Sequence, residues 1–267
     1  MRQRNPYGTW ACLVLLLSAG FALSLGAADA ATLALGEINP LTGRFAAHGT
    51  ALHRGIQLAV EEANASGTLR VTLATRDDEA RPDRAVAAAE ELITRLRVAA
   101  LVGGYVDTLV GPISEVAERQ KVPYVATASL DERLTQRGYR YFFRISHLQA
   151  YVDSMVGILQ DVFRPRSVAI LFSATPGASQ LARRQRERLE QARIQVPVFE
   201  MFTSGIADFT PLLTRVRDSG AEVLIADAFF ADHLVMVRQL RALEVNLKGF
   251  LGAFGMAMQY MVRPKAT

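Results

Sequence analysis

Between Thr32 and Gly252 the chain alternates two periodicities, and that alternation leaves few folds open. Thr32–Ile38, Leu69–Thr75, Val98–Val102 and Val122–Thr127 are apolar runs of strand length. The segments between them repeat their apolar residues at helical spacing. Thr50–Asn64 carries Leu52, Ile56, Ala59, Val60 and Ala63, with Gly67 as its stop. Pro82 opens a second helix that lines up Val86, Ala89, Ile93 and Leu96, since proline suits a first helical position. Leu109–Gln120 is the third, with Pro112 expected in its first turn. The order β-α-β-α-β-α-β implies a parallel sheet with helices on both faces. Continuous apolar strands fit burial on both sides.

A second series follows the strand Tyr141–Ile145: helix 149–163, strand 167–172, helix 177–193, strand 196–202, helix 208–219, strand 222–227, helix 231–244 and strand 248–252. Asp208 is placed to cap one helix and Gly220 to stop it. The fold class is therefore α/β, as two Rossmann-like lobes with parallel sheets, 31–146 and 147–267. Open α/β sheets take ligands outside the carboxyl ends of their strands, so the site is expected in the crevice between the lobes.

Residues 1–30 read as an export signal rather than as fold. Arg2 and Arg4 precede the apolar run Trp10–Leu25, and Ala28-Asp29-Ala30 offers small residues for cleavage near Ala30. The run is shorter than the ~20 residues of a membrane span. Cys12 is the sole cysteine and lies inside the run, so the mature part has none for disulfides, thiolate catalysis or a metal site. The formal charge is +4 with arginines scattered, which lacks the basic stripe of a nucleic-acid binder.

Enzyme signatures are missing. The acids of Arg76-Asp77-Asp78-Glu79 have no neighbouring His or Cys, and are expected to cap the helix at Pro82. The four histidines, His48, His53, His147 and His233, are dispersed. There is no G-x-S-x-G, no H-E-x-x-H and no Walker loop, and "VGGYVDTLVG" is not a dinucleotide fingerprint. No catalytic residue, metal or cofactor is expected. The loop "NPLTGRFAAHG" lacks the Gly-Lys-Ser/Thr of a phosphate cradle. Helix-preceding amides there could still face a solute.

"INPLTGRFAAHG…RGIQLAVEEANASG", "ALVGGYVDTLVGPIS" and "VPYVATASLDERLTQRGYRYFFRIS" resemble the branched-chain amino-acid type periplasmic binding proteins of ABC transporters. Weaker matches continue through "SVAILFSATPGASQLA", "DFTPLLTRVRDSGAEVLIADAF" and "VRQLRALEVNLKGFLG". The resemblance implies the type I periplasmic-binding fold: a two-lobed clamp that closes on a small solute, works in the periplasm and delivers to ABC permease subunits. Family members run on well beyond this chain's last residue, so the fold is expected to be incomplete at its C-terminus, with apolar surface left on the first lobe. A ligand-sensing receptor module and a non-functional truncated homologue are the alternative readings.

Carried over residue by residue, the resemblance implies a site of His48, Tyr105, Asp107, Thr108, Ala128, Ser129, Leu130, Phe229 and Phe254. His48 falls where the family often puts an aromatic against the ligand. Asp107 replaces a customary serine hydroxyl, with Thr108 beside it. Leu130 brings no hydroxyl, for which Ser129 could compensate. Phe229 matches an aromatic position, and Phe254 replaces a customary acid for an ammonium group. Asp107 in the carboxylate pocket would repel a carboxylate, and burying it unpaired is costly. An aromatic, amide-like or cationic solute is expected rather than a simple branched-chain amino acid.

Overall fold

A computed structural model describes residues 32–67 and 69–256. The proposed signal at 1–30 lies outside the described residues. Two parallel sheets organise the rest. The first contains β1 (Thr32–Asn39), β2 (Arg70–Asp77), β3 (Ala100–Tyr105), β4 (Tyr124–Ala128) and β5 (Phe142–Arg144), in the order β2-β1-β3-β4-β5. The second contains β6 (Ser167–Ser173), β7 (Gln195–Phe202), β8 (Val223–Ala228) and β9 (Gly249–Phe254), in the order β7-β6-β8-β9. Every pairing is parallel.

Helices supply the crossovers. In the first half they are α1 (Ala46–Ala65), α2 (Pro82–Thr94) and α3 (Asp107–Gln120). In the second they are α4 (Leu148–Ile158), α5 (Pro176–Gln191), α6 (Thr210–Asp218) and α7 (Phe230–Ala242). A π-helical turn, Leu159–Phe163, finishes what the sequence reads as one helix to 163.

The strand period of two explains how the second sheet is held. Val168, Ile170, Val223 and Ile225 belong to one apolar cluster, with Leu181 and Leu189 of α5. Their neighbours Ala169, Leu171, Leu224 and Ala226 belong to the opposite cluster, with Leu213 of α6 and Met236 of α7. Successive side chains alternate faces and both faces are covered, so the strands are apolar throughout. A fully buried Leu or Ile here contributes roughly 1.5–3 kcal/mol.

The first sheet is less evenly covered. Leu92 of α2 and Ile113 of α3 pack with Leu101 in its core, all fully buried. On α1 only His48 and Gly49 are buried, and Leu58, Phe143 and Ile145 stand exposed at 55%, 53% and 71%.

Several boundaries differ from the sequence reading, and two of them bear on the site. α1 starts four residues early, because a short 3-10 turn, Gly43–Phe45, feeds directly into it. Gly49 is needed there: a Cβ would run into the Pro40 carbonyl. α3 also starts early, at Asp107, which puts Pro112 beyond the first turn at the loss of one helical hydrogen bond.

Candidate functional site

The carboxyl ends of both sheets face one crevice, and the first sheet delivers its key carboxyl there through a strained turn. After β3, Val106 sits at φ 62°, ψ 150°, a conformation unusual for a β-branched residue. Its N–H donates to the Ala128 carbonyl at 2.9 Å. The next residue, Asp107, opens α3 and is buried. Asp107 Oδ1 accepts the N–H groups of Leu130 and Asp131, each at 2.8 Å. Its Oδ2 accepts the N–H of Gly177 at 2.8 Å, from the other sheet's α5.

The local sequence of α5 makes this bond available. Thr175 is the N-cap, and its Oγ1 accepts from Ala178. Pro176 has no N–H, so Gly177 offers the first free amide of the helix. Any Cβ on Gly177 would lie 2.5 Å from Asp107 Oδ2 and 2.9 Å from Leu130 Cβ. Gln180, a turn later, donates to Asp131 at 2.6 Å and accepts from the Glu132 N–H at 3.0 Å.

A second junction is aromatic. Phe229, just after β8, is packed into the first sheet's core. Its ring centre lies 4.8 Å from Phe45, 5.9 Å from Tyr105 and 5.7 Å from Phe254. His48 stacks on Tyr105 at 4.6 Å with the rings nearly parallel, and meets Phe229 edge-on at 6.2 Å. Burial strips water from His48, whose ring nitrogens have no well-formed hydrogen bond, and lowers its pKa to about 4 against a weaker upward pull from the Phe254 backbone. Burial likewise raises the Tyr105 phenol above its ordinary value.

Between the junctions lies a cavity of about 480 Å³, counting its open mouth. Its lining includes Tyr105, Asp107, Ala128, Ser129, Leu130, Phe229 and Phe254, seven of the nine residues singled out from the sequence. His48 and Thr108 are not brought to it. His48 lies one layer back, behind Tyr105, because the early start of α1 turns it into the core. Thr108 is exposed, because Asp107 is the residue α3 turns inward. Sequence reading missed Val106, Ser146, Tyr151, Thr175, Gly177 and Ala178. The Thr-Pro-Gly run after a strand was the available signal for two of these, Thr175 and Gly177, since it marks a helix start at a strand's carboxyl end.

Two expectations are corrected. Asp107 is not left to find a cationic partner: both its oxygens are taken by backbone N–H groups. The acids at 77–79 do not cap α2, whose N-cap is Arg81 with no side-chain cap bond. Asp77 instead accepts the N–H groups of Leu41 (2.9 Å) and Thr42 (3.2 Å) and the Thr42 hydroxyl (2.6 Å), so the first loop's amides already hold a carboxylate. Asp78 turns inward to the Ala80 N–H, and burial raises its pKa to about 6.

Two parallel α/β sheets thus bring their carboxyl ends to a largely apolar cavity, the place where open α/β sheets take small ligands. The chain belongs to the periplasmic binding protein family, whose profile matches residues 32–266. That family is one of binding proteins, not enzymes. An "Amino acid binding protein" of Pseudomonas aeruginosa is 28% identical over 232 residues, 85% of this chain and 62% of that one. A "Leu/Ile/Val-binding protein homolog 7" of Brucella abortus is 24% identical over 257 residues, 92% of this chain and 64% of that one. Among solved structures, a branched-chain amino acid transporter substrate binding protein from Streptococcus pneumoniae, in complex with isoleucine, superposes with a TM-score of 0.75 at 22% identity, covering 83% of this chain and 64% of that one. An ABC transporter solute binding protein from R. palustris, in complex with 4-hydroxybenzoate, gives 0.71 at 22% identity, covering 83% and 61%. The chain thus spans less than two thirds of the length of each.

Proposed function

We propose that this chain is an exported, periplasmic solute-binding protein of an ABC transporter. It captures a small amino-acid-like, amide or aromatic solute in the cleft between two lobes that divide near residue 146. Closure of the lobes around the solute presents a surface to permease subunits. The observation that carries this reading is the cavity at the carboxyl ends of both sheets, lined by Tyr105, Leu130, Phe229 and Phe254 with a few hydroxyls among them. Relatives that carry isoleucine or a hydroxybenzoate in their structures support a small solute with an apolar body. With no acid at Phe254 and Asp107 fully engaged, an aromatic or amide solute fits better than a free amino acid with its ammonium group.

The test is a thermal-shift screen of the signal-free protein against amino acids, amides, polyamines and aromatic acids. A ligand at a hundred times its Kd stabilises a folded protein by about 2.7 kcal/mol. A protein that unfolds cooperatively but responds to none of these classes is not a working binding protein.

A further inference from the structure

The strongest polar arrangement in the cleft is already in use by the chain itself. The N–H groups of Leu130, Asp131 and Gly177 converge on one carboxyl at 2.8 Å each. Two of them follow β4 of the first sheet, and the third opens α5 of the second. Converging amides with a helix N-terminus behind one of them form a seat that would draw a free anion. Arg133, the cation whose field reaches Asp107, is held by Asp131 at 2.9 Å and does not take the carboxyl away.

Two further polar atoms belong to residues lining the same cavity and have no partner: Tyr105 Oη and Ser129 Oγ, in residues only 7% and 3% exposed. Both are hydroxyls, able to donate or accept, and buried polar groups find partners. The cavity therefore has an occupied seat for an anion, and two hydroxyls without partners are sealed within residues of its wall.

We propose that Asp107 is a specificity-determining residue: a built-in carboxylate that fills the anion seat, so that the solute enters without a carboxylate of its own. Such a solute presents an aromatic or aliphatic body to Phe229 and Phe254. The solute class rests on the binding-protein reading above; the filling of the seat does not. Asp107 also joins the two sheets, so the carboxylate supplies between the lobes a link that a carboxylate ligand would otherwise have to make.

The experiment compares the full chain with Asp107→Ala and Asp107→Asn by calorimetry and thermal shift, using benzamide, benzoate and acetate as probes. The expected result has three parts. Wild type responds to benzamide and not to benzoate. Asp107→Ala empties the seat and gains benzoate and acetate at least tenfold. Asp107→Asn, which still fills the space, gains neither. Benzoate binding by wild type as tight as by Asp107→Ala overturns the inference, as does a folded Asp107→Ala that takes no carboxylate. Should Asp107→Ala not fold, Asp107→Asn decides: refusal of benzoate upholds the inference, and uptake shows that charge rather than occupancy excluded it. If no protein binds benzamide yet Asp107→Ala gains acetate, the filled seat stands and the solute reading falls.

Discussion

Asp227 allows a stability experiment whose sign and size both follow from the structure. It lies near the end of β8, in register with Phe172, and is fully buried. Oδ1 accepts from Gln185 Nε2 at 3.2 Å, while Oδ2, Gln185 Oε1 and Ser173 Oγ have no partner. Burial pushes the carboxyl up from 3.8 to about 8, against a weaker downward pull from Gln185. A proton on Oδ2 makes it a donor, and the Gln185 amide that already reaches Asp227 has a free acceptor. Because the folded pKa lies above the unfolded one, stability from this group is whole below pH 3.8 and is lost as pH rises toward 8. At 1.36 kcal/mol per pH unit, the loss reaches about 4 kcal/mol by pH 7. Asp227→Asn cannot ionise and keeps the shape. Urea unfolding followed by circular dichroism at pH 4, 5, 6 and 7 should show the variant gaining on wild type by about 4 kcal/mol across that range. Parallel pH profiles would refute the buried-proton argument.

His48 gives the opposite sign: its folded pKa of about 4 lies below the unfolded 6.5, so its stability is present above 6.5 and is lost as pH falls toward 4. His48→Phe should remove that loss, worth about 3 kcal/mol, and narrow the drop in Tm between pH 7.5 and 4.5; an unchanged drop counts against it. Gly177→Ala drives a methyl toward Asp107 Oδ2 and should cost about 1–3 kcal/mol while enlarging the radius of gyration in solution scattering. An unchanged radius would mean the Asp107 link does not hold the lobes. Phe229→Ala should cost about 3–5 kcal/mol and split one thermal transition into two, because the ring joins the first sheet's core from the second; a single unshifted transition contradicts this.

The sheets were legible because their strands are apolar over whole runs and their helices repeat at a different period. Where α3 starts was not, because the turn depends on Val106 at positive φ, which residue type does not advertise. The same limit hid the partners of Asp107. Its type and position could be read as unusual, but the amides that satisfy it lie 23, 24 and 70 residues away, and backbone donors leave no mark in composition. His48 was placed in the cleft by the family resemblance, which sets an aromatic against the ligand at that position. With the helix starting at Ala46, the ring falls among Tyr105 and Phe229.

Among the described residues, the chain passes from one sheet to the other through 145–147, and no strand leaves one sheet to complete the other. The other ties between the halves are non-covalent, among them Asp107 with Gly177, Gln180 with Asp131 and Glu132, and Phe229 among Phe45 and Tyr105. None of those contacts depends on both halves coming from the same molecule. A closed monomer and a pair of chains that trade their second halves satisfy the same bonds. Among the described residues, the 145–147 link therefore sets the connectivity of the two sheets, while their placement against each other is left to buried contacts.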